Sequence, residues 1–238
     1  MSLYHSRHVA AYFIPAIFRS FVRIYVRPRI EGVEGLPTKG SFIIAANHNS
    51  HADTAVIFTA LPRHARERFV AAAAQDYFFH GGPWQFFSRV LFNAIPISRD
   101  RHGGHDPLRH ASRALREGYA LLLFPEGTRS KDGAIGPFFS GIGRLIADFP
   151  GTPVIPTYLS GTMRVMPKGK VLPRPFKVTV RFGAPMLVTA HPKFRATWKS
   201  AAKEVREAVI QLGGFTNTAA APAPAQALPD EDAEPGEV

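Results

Sequence analysis

Asn47-His48-Asn49-Ser50-His51-Ala52-Asp53 joins an apolar run, Ser41 to Ala46, to a helical-looking run, Ala55 to Leu61. The pattern predicts a strand ending at His48 and a helix whose first turn holds Asp53. In open α/β sheets such a junction is where ligands bind. On one continuous helix, a separation of five residues turns the two side chains about 500°, roughly 140° off a common face. A strand–turn–helix bend lets them meet. The carboxylate then holds one imidazole nitrogen and leaves the other basic, which is the arrangement of an oriented general base.

Two other readings fit the same heptad. Ser50-x-x-Asp53 fits a capping box, with Ser50 as N-cap and Asp53 satisfying helix amides. His48 is then only a strand-end histidine. His48-x-x-His51-x-Asp53 also carries ligand-type residues, so a metal-dependent hydrolase using His48, His51 and Asp53 is an alternative. Its spacing departs from the common zinc patterns, and no matching second cluster follows. The expectation is no metal.

Working outward, apolar runs alternate with helical patterns. Strands are predicted at Arg29 to Gly35, Ser41 to Ala46, Phe69 to Ala74, Asn93 to Ser98, Tyr119 to Phe124, Pro153 to Leu159 and Phe176 to Phe182. Helices are predicted at Ala55 to Leu61, Gln75 to Val90, Pro107 to Glu117, Phe139 to Phe149 and Pro192 to Leu212. Such alternation indicates an α/β fold, a mixed or parallel sheet flanked by helices. At 238 residues the chain is long enough for one such domain with an appendage.

Val9 to Arg27 is strongly apolar yet carries arginines. It has neither the cleavage site of a signal peptide nor the uninterrupted length of a membrane span. As a helix after Pro15, it places Arg19, Arg23 and Arg27 on one stripe, with Ile17, Phe18, Phe21, Ile24 and Tyr25 opposite. That suits a helix lying in a membrane interface, or one packed on its own domain with arginines to water. The domain boundaries expected are 1–28 for an amphipathic membrane-associating helix, 29–214 for the catalytic domain, and 215–238 for a disordered acidic Ala/Pro-rich tail.

The formal net charge is +11. From Thr216 onward there are five acids and no bases; removing those five from the eighteen acids, against 29 bases, leaves the rest at +16. A body this basic expects an anionic partner. No aromatic-basic stripe marks a nucleic-acid module, so no nucleic acid is expected. There is no cysteine, which excludes disulfides, thiolate metal sites and a cysteine nucleophile. No Gly-x-Ser-x-Gly elbow and no phosphate-binding Gly-Lys-Ser/Thr loop occur.

A second chemical stretch, Glu126-Gly127-Thr128-Arg129-Ser130, follows the apolar run ending at Phe124. Gly127 permits a tight turn close to a ligand, Thr128 and Ser130 offer hydroxyls, and Arg129 can hold a phosphate by two parallel hydrogen bonds. Glu126 suits a sugar or glycerol hydroxyl, or steadies the arginine. A plain surface turn with an Arg–Glu pair fits too. Arg99, at another strand end, is a second candidate phosphate contact. His102, His105 and His110 read as solvated histidines.

Together these blocks resemble the lysophosphatidic acid acyltransferase family of glycerolipid acyltransferases. Asn47-His48-x-x-x-x-Asp53 looks like its His-x4-Asp motif, Ile95-Pro96-Ile97-Ser98-Arg99 its second block, Phe124 to Ser130 its third and Val154-Ile155-Pro156 its fourth. The resemblance covers roughly Arg29 to Pro185. The chain departs at Phe138-Phe139-Ser140-Gly141, where many relatives carry a Lys-rich turn, and at Pro96. The resemblance implies an O-acyltransferase of phospholipid biosynthesis with His48 and Asp53 catalytic. It implies that Arg99, Glu126, Gly127, Thr128 and Arg129 bind substrate. The expected donor is acyl-CoA or acyl carrier protein as co-substrate, with no bound cofactor. The expected acceptor is a lyso-phospholipid, by default 1-acyl-sn-glycerol-3-phosphate to give phosphatidic acid. The expected location is peripheral, on the cytoplasmic face of the cell membrane.

Overall fold

The computed structural model describes residues 10–74, 91–97, 106–166 and 174–214, with the backbone alone for 10–15. The strands are β1 (Arg29–Glu31), β2 (Phe42–Ala46), β3 (Phe69–Ala74), β4 (Ile95–Ile97), β5 (Ala120–Leu123), β6 (Val154–Ser160) and β7 (Thr179–Phe182). The described helices are α1 (Ala10–Tyr25), α2 (Ala52–Ala60), α3 (Arg63–Arg66), α4 (Arg109–Arg116), α5 (Gly141–Asp148), α6 (Thr162–Val165) and α7 (Arg195–Leu212). The helix expected at Gln75 to Val90, the Arg99 site, His102, His105 and the acidic tail lie outside the described residues.

The sheet runs β1-β7-β6-β2-β5-β3-β4. All neighbours are parallel except β6 with β7. Parallel strands covered on both faces read as continuous apolar runs, because neither face meets water. In β2 every residue is buried, and the side chains part by alternation. Phe42, Ile44 and Ala46 join α1, α2 and α3 in one core, while Ile43 and Ala45 join α4, α5 and α7 in the other. β5 does the same, sending Ala120 and Leu122 one way and Leu121 and Leu123 the other.

β2 and β5 are neighbours in register, Phe42 opposite Ala120 and Ala45 opposite Leu123. Their carboxyl ends, and with them the two chemical stretches, therefore open side by side at mid-sheet. The chain leaves β2 toward β3 on one side and β5 toward β6 on the other, so a crevice forms where the winding reverses. Gly143 brings α5 against α7: a methyl there would collide with the Trp198 carbonyl.

The N-terminal helix begins earlier than expected, with Pro15 inside it, and it packs one face on its own domain while an apolar stripe stays exposed. Val22 and Val26 are buried, with Phe18 and Tyr25 packed against the same core. Ile17, Phe21 and Ile24 are 68%, 51% and 70% exposed. The expected arginine stripe is shorter: the helix stops at Tyr25, and Arg27 takes a left-handed φ of 49°. Its Nε donates to the Ile24 carbonyl at 3.2 Å, closing the helix end. Among the described residues no helix is long and apolar enough to cross a membrane.

Candidate active site

β2 delivers Asn47 and His48 to the crevice, and α2 starts at Ala52 with Asp53 in its first turn. The intervening bend brings His48 Nδ1 to 2.8 Å from Asp53 Oδ2. The same oxygen accepts the amides of Asn49 at 2.6 Å and Ser50 at 2.8 Å. Capping and orientation of the imidazole, which the sequence posed as alternatives, are thus two uses of one atom. Asp53 is fully buried, and among the described residues its Oδ1 has no hydrogen-bond partner while Oδ2 has three. An ionised carboxylate only accepts. Nδ1 therefore holds the imidazole proton and Nε2 keeps its lone pair. The His48 side chain is 20% exposed, open enough to meet a substrate.

Phe124, the first residue of the third block, stacks on the imidazole with centroids 4.1 Å apart and planes 18° from parallel. Asn47 is fully buried. Its Oδ1 accepts the Leu159 amide at 2.7 Å and its Nδ2 donates to the Leu159 carbonyl at 3.0 Å. That pair ties the end of β2 to β6. Ser50 Oγ donates to the Met166 carbonyl at 2.9 Å and accepts the Ala52 amide at 3.2 Å.

The loop after β5 folds over His48. Gly127 takes φ +66°, a conformation that L side chains rarely adopt. Its amide donates to the Phe124 carbonyl at 3.0 Å, and its missing side chain leaves room for the Phe139 ring. The turn carries Ser130 back so that its amide donates to the His48 carbonyl at 2.8 Å. Thr128 is exposed and Arg129 half-buried. Glu126 is 6% exposed. Its Oε1 accepts the His48 amide at 2.8 Å and its Oε2 the Gly136 amide at 2.9 Å. Burial pushes this carboxyl up, and the two amide bonds pull it back in part.

Burial of its ring, and next the charge of Arg129, hold the His51 imidazole below its ordinary value; His48 adds to this and Asp53 opposes it. His48, Glu126, Gly127, Thr128 and Arg129 come from the two facing loops, and Asp53 from the first turn of α2. Asn47, Phe124 and Gly136 complete the arrangement but were given no role from the sequence, and Ser130, read there as a hydroxyl donor, acts on His48 through its amide. Phe124 had a visible signal, since it opens the third block. Among the described residues no group of three or more His, Asp or Glu is arranged to hold a metal ion.

A buried carboxylate orienting a histidine, beside a Gly-turn loop bearing an arginine, is equipment for proton abstraction next to an anionic group. Residues 27–160 match the Acyltransferase family, and the chain belongs to it. It is 31% identical to a chloroplastic 1-acyl-sn-glycerol-3-phosphate acyltransferase of Brassica napus over 61% of this chain and 40% of that protein. Against its counterpart in Arabidopsis thaliana the values are 31%, 61% and 39%. Against the 1-acyl-sn-glycerol-3-phosphate acyltransferase of Cocos nucifera they are 30%, 66% and 49%. The chain thus spans two fifths to a half of these curated relatives. The crystal structure of the 1-acyl-sn-glycerophosphate (LPA) acyltransferase PlsC from Thermotoga maritima shares the fold, with TM-score 0.65 at 24% identity. That match covers 91% of this chain and 86% of that one.

Proposed function

We propose that this chain moves a fatty acyl group from an acyl thioester, acyl-CoA or acyl carrier protein, to the hydroxyl of a lyso-glycerophospholipid. The acceptor proposed is 1-acyl-sn-glycerol-3-phosphate and the product phosphatidic acid. The observation that carries the reading is the 2.8 Å contact of His48 Nδ1 with Asp53 Oδ2, placed beside the Arg129 loop.

His48 Nε2 takes the proton of the acceptor hydroxyl. The oxygen attacks the thioester carbonyl carbon, and the tetrahedral adduct collapses with cleavage of the C–S bond. The imidazolium returns its proton to the leaving thiolate. Asp53 keeps the ring in the required tautomer and stabilises it while charged. Arg129, with Arg99 as a second cation, holds the acceptor phosphate; Gly127 and Thr128 shape the approach. Fixing a phosphate remote from the reacting oxygen is a large lever on such transfers. Residues 29–214 form the catalytic domain. The exposed Ile17, Phe21 and Ile24 stripe, with the neighbouring arginines, seats it on the cytoplasmic face of the cell membrane, where the acceptor resides.

The test mixes purified protein with acyl-CoA and lysophosphatidic acid and follows free thiol. The chain adds no thiol of its own, since it has no cysteine. Thiol release that needs both acceptor and His48 is the expected result, with His48→Ala lowering the rate by about 10² to 10⁴. Release without acceptor would indicate a thioesterase. Silence with acyl-CoA, acyl carrier protein donors and other lyso-lipids alike would overturn the proposal.

A further inference from the structure

We infer that Glu126 is a positioning residue for His48, gripping the peptide that carries the imidazole, and not a ligand of the acyl acceptor. The inference rests on the reading of His48 as general base.

Its basis is the direction of the two carboxylate oxygens. Oε1 takes the His48 amide at 2.8 Å and Oε2 takes the Gly136 amide at 2.9 Å. With 6% of the residue exposed, little of it faces the crevice. The same loop then grips the other end of the residue, the Ser130 amide donating to the His48 carbonyl at 2.8 Å. Three residues lie between the two grips, and the left-handed Gly127 supplies the turn between them.

Three successive amides, of His48, Asn49 and Ser50, therefore all donate to carboxylates. The first goes to Glu126 and the next two to Asp53. One acid fixes the ring of His48 and the other its backbone, while Phe124 lies against the imidazole. A buried carboxylate is costly unless its oxygens are hydrogen-bonded, and here the bonds are made by the base's own peptide and by Gly136. Glutamate is required because both partners donate. Glutamine offers one oxygen, and its NH₂ would face an amide N–H. Aspartate is one methylene short of bridging both.

Misplacing a catalytic group by an ångström costs on the order of 10²-fold in rate. The experiment measures steady-state kinetics of the full chain with acyl-CoA and lysophosphatidic acid. It compares wild type, Glu126→Gln, Gly136→Ala and His48→Ala, with circular dichroism on each. Glu126→Gln is expected to lower kcat by roughly ten- to hundredfold while the acceptor KM stays within about twofold. Gly136→Ala touches no proposed substrate contact. Its methyl would stand 3.2 Å from Glu126 Oε2, so the carboxylate must give by a few tenths of an ångström, and the variant is expected to reproduce a smaller kcat loss at unchanged KM. It carries the test alone if Glu126→Gln is recovered unfolded. An acceptor KM raised about tenfold in Glu126→Gln with kcat intact would make Glu126 an acceptor ligand and overturn the inference. So would a Gly136→Ala enzyme with wild-type kcat. If His48→Ala turned over as fast as wild type, the reading of His48 itself would fall, and the positioning role with it.

Discussion

Asp53 Oδ2 lies 2.8 Å from His48 Nδ1 and simultaneously accepts the amides of Asn49 and Ser50. Orientation of the base and closure of the helix start are consequently separable by substitution. Asp53→Asn keeps an oxygen for the amides but removes the charge that stabilises the imidazolium. We expect kcat to fall by about 10² to 10⁴ with thermal stability little changed. Asp53→Ala also releases both amides, and hydrogen bonds to a charged group are worth about 1.5–3 kcal/mol, so its Tm should drop by several degrees. Equal Tm values for the two variants would show that the amide bonds contribute nothing to the fold.

Gly127 combines φ +66° with a Phe139 ring carbon 2.7 Å from where a methyl would stand. Gly127→Ala should lose about 1–2 kcal/mol from the left-handed backbone alone, readable as a Tm shift, and should slow turnover by moving Ser130 off the His48 carbonyl. Adding Phe139→Ala removes the clash but not the backbone cost, so rescue should be partial. Full rescue would place the whole penalty in the ring contact.

Arg129 is proposed to hold the acceptor phosphate. Arg129→Ala should raise the KM for lysophosphatidic acid by about 10- to 100-fold, the loss of one charge-assisted pair. Turnover of monoacylglycerol, which has no phosphate, should not change. An equal loss on both acceptors would remove Arg129 from phosphate binding.

Burial pushes the Glu126 carboxyl above its ordinary value, against the pull of its two amide partners. A carboxyl raised in this way binds its proton more tightly folded than unfolded. Its contribution to stability is therefore fullest below the ordinary glutamate value, about 4.3, and is lost as pH rises through the raised value. The Tm of wild type minus that of Glu126→Gln should decline as pH rises from below the ordinary glutamate value, about 4.3, through the raised one. A difference that grows with pH would mean that the amide bonds outweigh burial.

The α1 stripe can be tested apart from the chemistry. Ile17→Ser, Phe21→Ser and Ile24→Ser together should weaken binding to phosphatidylglycerol vesicles by at least about tenfold, since burying even one such side chain is worth about 1.5–3 kcal/mol. Tm should hold, because all three are exposed. Undiminished vesicle co-sedimentation would mean that another surface meets the bilayer.

The strands were legible because a sheet covered on both faces leaves an uninterrupted apolar signature, as in Phe42 to Ala46 and Ala120 to Leu123. His48 and Asp53 were legible because both ends of their contact sit in one heptad. The bonds of Glu126 to His48 and of Asn47 to Leu159 were not. Their partners stand 78 and 112 residues away, and a backbone group leaves no mark on residue type. α3 and α6, four residues each, are too short to show a period. Arg27 left the expected stripe because helical spacing cannot indicate where the helix stops.

α1 and the residue that follows it bury Val22 and Val26 in the same core that holds Val56 and Ile57 of α2, the helix that carries Asp53. The edge strand following α1 is clamped in turn, Arg181 reaching Glu31 at 2.8 Å and the Leu212 carbonyl at 2.9 Å. With the stripe laid on a bilayer, the imidazole stands at one set height above the lipid plane. On the function proposed, that altitude would add a second sieve to the phosphate contact, favouring acceptors whose hydroxyl rises to the level of His48 over those held deeper in the leaflet.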